Sequence, residues 1–235
     1  MNMQAEGDRP SPMPPTFGKG LGAAQAFVNA VTVVEISNFV STGVLRYAEG
    51  DIIEVEISEW EIFKLGESLK LTIYSTSGIH HFESRVIARD SGSVVVINPP
   101  DIKRRFFDQR EHPRVDVNQL GFIQSVANPL QSHQFETVTP VPLTITNLSL
   151  GGVGFIIRAG ELNMQSGYLV EMEMEFGFEL KMEAEIVRKV EESAGVFYGA
   201  KFVKPPIAEE LISLRSFIMR AQVRTYFDWK KGQDA

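Results

Sequence analysis

The chain has 235 residues, a formal net charge of −7 and no cysteine. The length allows two small domains or one larger one. Without cysteine there are no disulfides or thiolate metal sites, which fits a reducing cytoplasm. No apolar run reaches the roughly 18 residues of a membrane-spanning helix, and no basic start with an apolar core indicates a secretion signal. We therefore expect a cytoplasmic protein without a membrane span.

The first 100 residues divide into a tail and a strand-rich unit. Residues 1–17 are rich in proline and poor in large apolar groups, which predicts a flexible tail. Residues 18–100 contain short β-branched and aromatic runs separated by turn signals. Around Ile53, Val55 and Ile57 apolar and polar residues alternate, as in a strand with one buried face. The pattern predicts a small antiparallel barrel or sandwich.

The local charge becomes basic in the linker 101–114, which follows a proline pair. Here Arg105 belongs to a basic cluster, and Arg110 and Arg114 form an R-x-x-x-R motif. The planar fork of an arginine matches phosphate oxygens and the O6/N7 edge of guanine. Taken alone, the pair is more typical of solvated linker charges than of a binding site.

A second motif, N-x-S-x-x-G, follows at Asn147, Ser149 and Gly152. On a strand the first two side chains point to one face, where an amide oxygen can accept a guanine N–H. Gly151 and Gly152 let the backbone bend and approach a ligand closely. The motif alone is also typical of a strand that ends in a turn. Because the apolar Ile145 shares the face of Asn147 by strict alternation, the sequence leaves open which face lines the barrel interior.

The rest of the chain predicts more strands and one helix. Residues 115–204 are strand-like, with a hairpin at Gly177. From Pro206 the spacing becomes helical, and the apolar positions are Ile207, Leu211, Leu214, Ile218 and Ala221. The sequence leaves open whether this helix packs in cis or against a second copy, so both a monomer and a homodimer are possible. Residues 227–235 are predicted to be a tail.

The two motifs, in this order and followed by Gly199-x-x-Phe202, resemble the signature of the PilZ domain, a bacterial receptor for cyclic di-GMP. The resemblance covers about 108–226 and implies a six-stranded antiparallel barrel. The strand-rich unit before it resembles the two-domain flagellar brake subgroup of that family. The predicted fold is therefore all-β, with an N-terminal flagellar-brake-type split barrel, a C-terminal PilZ barrel and a C-terminal α-helix.

The resemblance implies a cyclic di-GMP site on this chain. Arg110 and Arg114 would bind phosphate and guanine, and Asn147 and Ser149 would contact a guanine. The full predicted set is Arg105, Gln109, Arg110, Arg114, Asn147, Ser149, Gly151 and Gly152. Gln109 stands where many members have another arginine, which leaves open whether one ligand or a stacked pair binds. Asn147 stands where aspartate is more frequent.

We hypothesise a non-enzymatic effector whose regulatory ligand is cyclic di-GMP. Its histidines, including His112, are scattered, so no metal is expected. The resemblance implies a protein partner, such as a component of the flagellar motor or of polysaccharide synthesis. It also allows the protein to be recruited to the flagellar basal body. One alternative is a ligand-blind adaptor that acts through protein contacts. Another is a nucleic-acid-binding regulator, which the acidic balance disfavours.

Overall fold

A computed structural model describes residues 27–76, 78–99, 112–129 and 135–233 of the chain. The predicted tail 1–17 and linker residues 101–111 lie outside these ranges. Within them, the predicted fold class is confirmed, because two closed six-stranded antiparallel barrels precede one long helix. None of the helices described is long and apolar enough to cross a membrane.

The first barrel is closed by six antiparallel strands in the order β1-β2-β3-β6-β5-β4. They are β1 (Val31–Ile36), β2 (Phe39–Glu49), β3 (Ile52–Glu56), β4 (Ser68–Ser75), β5 (Gly78–Asp90) and β6 (Ser93–Ile97). A 3-10 helix, Trp60–Ile62, lies between β3 and β4. As the alternation predicted, Ile53, Val55 and Ile57 are buried in the barrel core.

The second barrel repeats this connectivity strand for strand. Its strands are β7 (Val115–Ala127), β8 (Glu136–Ser149), β9 (Gly152–Ile157), β10 (Leu169–Glu175), β11 (Glu179–Glu192) and β12 (Gly195–Phe202). They pair in the order β7-β8-β9-β12-β11-β10. The predicted hairpin is β10–β11, and Gly177 in its turn has a φ of +80°. Closure leaves neither barrel with an unpaired edge.

Both barrels also carry bulges at equivalent places. In the first barrel the β2–β3 pairing shifts register between Leu45 and Tyr47, and the β5–β6 pairing shifts between Val86 and Ala88. In the second barrel the β8–β9 pairing shifts between Ile145 and Asn147, and the β11–β12 pairing shifts between Ile186 and Arg188. A bulge inserts one residue and so changes the face to which the following side chains point. Ile145 points into the core, and after the extra residue Thr146 the side chain of Asn147 points outward. The bulge settles the question that strict alternation left open.

The helix α1 (Ala208–Gln233) packs in cis against both barrels. At its start Glu210 Oε2 accepts a hydrogen bond from the Ile207 backbone N–H at 3.1 Å, as in a capping box. Leu214 and Ile218 enter the core of the second barrel, and the Phe217 ring lies 5.0 Å from that of Phe176. The first half of α1 therefore belongs to the second barrel.

The second half of α1 covers the outer face of β3 and β6 in the first barrel. Tyr226 is fully buried against Ile52 and Val95. Lys230 Nζ lies 2.8 Å from a carboxylate oxygen of Glu54 and 3.3 Å from one of Asp90. This packing explains why Ile52, Glu54 and Val95, which face out of the first barrel, are buried.

Two details of the helix prediction are wrong. The predicted tail 227–235 is helical as far as Gln233, because Trp229 and Lys230 pack on the first barrel and hold the last turns. Ile207, predicted to lie on the buried face, is 66% exposed, because it precedes the first helical residue.

Candidate functional site

A groove of about 390 Å³ lies on the outer face of the second barrel, beside the linker. Small-molecule sites commonly have roughly 300–1,000 Å³. The residues that line it come from the linker, from the β8–β9 turn and from strands β8, β9, β11 and β12: His112, Arg114, Asn147, Ser149, Gly151, Gly152, Val153, Val187, Arg188, Phe197, Gly199, Ala200 and Lys201.

The floor of the groove is a strip of sheet without large side chains. Asn147, Gly154, Gly199 and Arg188 are Cα partners across β8, β9, β12 and β11. Side chains on one face of such a row are neighbours. The Asn147 amide lies over Gly154, so Gly199 leaves bare backbone between that amide and the Arg188 guanidinium, where a flat ligand can lie close to the sheet.

Ser149, Gly152 and Lys201 form the next row on the same face. Ser149 is only 6% exposed, and its hydroxyl donates to the Gly152 carbonyl at 3.2 Å. This bond fixes the end of β8, where the strand turns into β9. Lys201 is exposed beside the turn and brings a positive charge to this side of the groove.

The amide of Asn147 is held over the sheet. Its Nδ2 donates to Thr146 Oγ1 at 3.3 Å, and a Cβ added at Gly154 would overlap the amide. Only glycine at position 154 therefore lets Asn147 take this place. No described residue donates to the amide oxygen, so that oxygen can accept a hydrogen bond from a ligand.

The groove collects positive charge on a chain with a net charge of −7. Arg114, Arg188 and Lys201 line it, and within the described ranges none of their side chains forms a salt bridge or a hydrogen bond. Aspartate and glutamate are absent from the described lining. The nearest carboxylates by register belong to Asp116, opposite Asn147, and to Glu185, opposite Lys201. Such a surface favours an anionic ligand.

The groove also offers aromatic surface. The Arg188 guanidinium carbon lies 6.0 Å from the centre of the Phe197 ring, at the limit of a cation–π contact. The exposed side chain of Val187 lies beside them. Arginine planes and aromatic rings are the usual surfaces on which unpaired bases stack.

The described end of the linker borders the groove. His112 is half-buried, and its Cδ2 would lie 3.0 Å from a Cβ at Gly151. Pro113 is buried, and Arg114 is exposed and lines the groove.

Five of the eight sequence-predicted residues share this groove: Arg114, Asn147, Ser149, Gly151 and Gly152. Arg105, Gln109 and Arg110 lie outside the described residues. Contact of any of the eight with a ligand stays a prediction. The described ranges contain no group of histidine, aspartate and glutamate side chains that could hold a metal ion.

Part of the lining was not predicted from the sequence: His112, Val187, Arg188, Phe197 and Lys201. Val187 and Arg188 both reach the outer surface because a bulge interrupts β11 there. Lys201 meets Gly152 only through the pairing of β12 with β9. His112, interpreted as a scattered histidine, was already visible between the two arginines of the R-x-x-x-R motif.

Comparison with known proteins gives one family match. The family described as PilZ domain matches residues 108–220. A comparison with the curated proteins finds no match.

Several solved structures are similar to the chain. The Bacillus subtilis inhibitor of motility (MotI/DgrA) is 14% identical, with 84% of this chain and 98% of that chain covered and a TM-score of 0.42. Escherichia coli YcgR in complex with c-di-GMP is 13% identical, with 89% and 90% covered and a TM-score of 0.41. Borreliella burgdorferi PlzA in complex with c-di-GMP is 15% identical, with 83% and 90% covered and a TM-score of 0.35.

Proposed function

We propose that the chain, whose residues 108–220 match the family described as PilZ domain, is a receptor that binds cyclic di-GMP in the groove of the second barrel. Members of the family are receptors for this dinucleotide. The observation that carries the proposal is the glycine floor between Asn147 and Arg188, bordered by cations that have no carboxylate partner in the described ranges.

Each part of the groove has a task that suits the ligand. Cyclic di-GMP is a compact dianion with two guanines and two phosphates. Arg114 and Lys201 provide charge for phosphate, and arginine can also grip a guanine edge with two hydrogen bonds. The free oxygen of Asn147 accepts a guanine N–H. Arg188 and Phe197 provide a surface on which a base can stack.

Isothermal titration of the full chain with cyclic di-GMP tests the proposal. We expect binding by the wild type and a loss of about 10- to 100-fold in affinity for Arg114→Ala, since a bidentate arginine contact contributes roughly 1–3 kcal/mol. Arg158→Ala, at a highly exposed arginine outside the groove, is the matched control and should bind normally. A wild type without binding would contradict the proposal. The fitted stoichiometry also shows whether one ligand molecule or a stacked pair binds, which Gln109 leaves open.

The bound ligand regulates a protein partner by changing the arrangement of the two barrels. Arg110 and Arg114 both lie in the linker, so a ligand that holds them fixes the chain segment that joins the barrels. The new arrangement exposes or hides the surface for a component of the flagellar motor or of polysaccharide synthesis. Swimming speed and polysaccharide production of cells that carry Arg114→Ala distinguish these two outputs.

The distance between the barrels measures this regulation directly. Because the chain contains no cysteine, Val40→Cys and Leu120→Cys introduce unique sites for spin labels at exposed positions, one on each barrel. We expect cyclic di-GMP, at a concentration just sufficient to saturate this background, to change the measured distance distribution, and to change it much less at the same concentration when Arg114→Ala is added. An unchanged distribution under saturating ligand would rule out the rearrangement and leave binding intact.

A further inference from the structure

Three parts of the chain meet beside the groove: the β2–β3 turn of the first barrel, α1 and the linker. In the turn, Asp51 binds Gln222 of α1 through two hydrogen bonds. The Asp51 backbone N–H donates to Gln222 Oε1 at 2.8 Å, and Gln222 Nε2 donates to Asp51 Oδ2 at 2.9 Å. Gln222 is 8% exposed, so these bonds are shielded from water.

Gly50, in the same turn, lies against both Gln222 and the linker. Its φ is +57°, and a Cβ added there would lie 2.6 Å from Gln222 Oε1 and 3.5 Å from Cβ of Pro113. Only a residue without a side chain fits between them. Asn98 Nδ2 donates to the Gly50 carbonyl at 3.1 Å and fixes the turn from the other side.

Pro113 is buried at this point and stands between two groove residues, His112 and Arg114. Its ring fixes its own φ, and it restricts the preceding residue to extended conformations. A buried proline with these restrictions sets the direction in which both neighbours leave it. His112 meets Gly151, in the β8–β9 turn that corresponds to the turn of Gly50. The linker therefore passes close to equivalent turns of the two barrels.

We propose that Gly50 and Gln222 are positioning residues for the groove. Together with Pro113 they form a contact that holds His112 and Arg114 at the ligand. The first barrel and α1 are thereby parts of the cyclic di-GMP site although they contribute no lining residue of their own. The inference rests on the proposed function, since it assigns to these residues the placement of Arg114 for that ligand.

The chemistry of Gln222 supports a positioning role over simple adhesion. The apolar cluster around Tyr226 and the ion pair of Lys230 already hold α1 on the first barrel. A buried amide with two hydrogen bonds adds little net stability, but it permits only one orientation of its partners. That property is what a residue needs in order to fix a neighbouring loop.

A double-mutant cycle in the full chain tests the proposal. We expect Gln222→Leu to weaken cyclic di-GMP binding about tenfold, within the roughly 5–150-fold range of coupling between sites. The loss should persist in an Asn147→Ala background and fall below about threefold in an Arg114→Ala background, because the effect passes through Arg114. Thr225→Ala, on the exposed side of the same helix, is the control and should not change affinity. Gly50→Ala serves as a second variant if Gln222→Leu does not fold.

The outcomes separate this inference from the proposed function. Equal losses in all backgrounds, or unchanged affinity in a folded variant, would overturn the positioning role while cyclic di-GMP binding stands. A wild type that does not bind would overturn the proposed function. The positioning role of Gln222 would then be tested without ligand, by NMR of the histidine side chains. The chain has four histidines, and Gln222→Leu should shift the imidazole NMR signals of His112 but not those of His80 and His81. Unshifted His112 signals would contradict the proposal.

Discussion

The two barrels have the same strand order and equivalent bulges, yet the same outer face is covered in one and open in the other. The strand pairing shows which residues of the first and second barrel stand at equivalent positions. They are Tyr47 and Asn147, Ile52 and Gly152, Glu54 and Gly154, Ala88 and Arg188, Val95 and Gly199, and Ile97 and Lys201. In the first barrel Tyr226 and Lys230 of α1 lie on this face. In the second barrel the face is the proposed ligand groove.

Under the proposed function, one scaffold serves two tasks through side chains at a few positions. Large apolar residues around Ile52 and Val95 build a surface that buries an aromatic ring of the same chain. Glycines at the corresponding positions remove that surface and expose backbone, and Arg188 and Lys201 replace Ala88 and Ile97 with cations. The side chains at these positions determine whether the face packs against a helix, as in the first barrel, or stays open for the proposed anionic ligand, as in the second.

The largest effect is expected when the covered face is opened. Tyr226→Ala should destabilise the protein by about 3–5 kcal/mol, as for other fully buried aromatic residues, because it removes the ring at the centre of the contact. Urea unfolding followed by circular dichroism measures the change. Thr225→Ala, exposed on the same helix, should cost far less. A loss below about 1 kcal/mol for Tyr226→Ala would show that the covered face does not hold the helix.

A smaller effect is expected from the ion pair on that face. Lys230→Met leaves the carboxylate of Glu54, which is 4% exposed, without its partner. We expect a loss of about 2 kcal/mol at neutral pH, below the roughly 3–5 kcal/mol of a fully buried pair, because Lys230 retains some exposure. The measurement is again the free energy of unfolding, with Lys231→Met at an exposed neighbouring lysine as the control.

The same ion pair makes the stability of the covered face depend on pH in the alkaline range. Burial acts to lower the pKa of Lys230, but hydrogen bonds and charges of Glu54 and Asp90 outweigh it, so the pKa is raised above its ordinary value of 10.5. The pair's stabilisation is therefore present below that value and is lost as the pH rises through the raised pKa. Burial also raises the pKa of Tyr47 and Tyr226, which lowers stability above pH 10 in the same direction. Between pH 8 and 12 the wild type should lose stability more steeply than Lys230→Met, and equal slopes would contradict this assignment.

The smallest change makes the open face resemble the covered one. Gly199→Val introduces the residue that stands at position 95, and a Cβ there would lie 3.5 Å from Cβ of Arg188, an ordinary contact. We expect the fold to be retained and cyclic di-GMP affinity to fall at least about tenfold, or 1.4 kcal/mol, because the side chain occupies the groove floor. Titration and thermal unfolding measure the two effects. Gly232→Val, at an open helical position, is the control, and unchanged affinity for Gly199→Val would place the ligand elsewhere.

The sequence predicted what depends on local patterns. Alternation around Ile53 identified a strand and helical spacing around Leu214 identified α1, whereas Arg114 and Asn147 were assigned to one predicted site only through the resemblance of their motifs to a known family. Cross-strand register is not local, so the row that joins Asn147 to Arg188 and the bulge before Arg188 were not predictable. The face that buries Tyr226 was not predictable either, because helical spacing gives no signal of which distant surface a residue near the end of the helix will contact.

The comparison between the barrels is tested most directly by NMR mapping of cyclic di-GMP on the full chain. The account predicts that the ligand shifts the signals of Asn147, Gly154, Arg188 and Gly199 and leaves those of the equivalent Tyr47, Glu54 and Val95 face unchanged. Shifts centred on the face beneath Tyr226, or an absence of shifts in the groove at saturation, would contradict the claim that the open face of the second barrel is the receptor site.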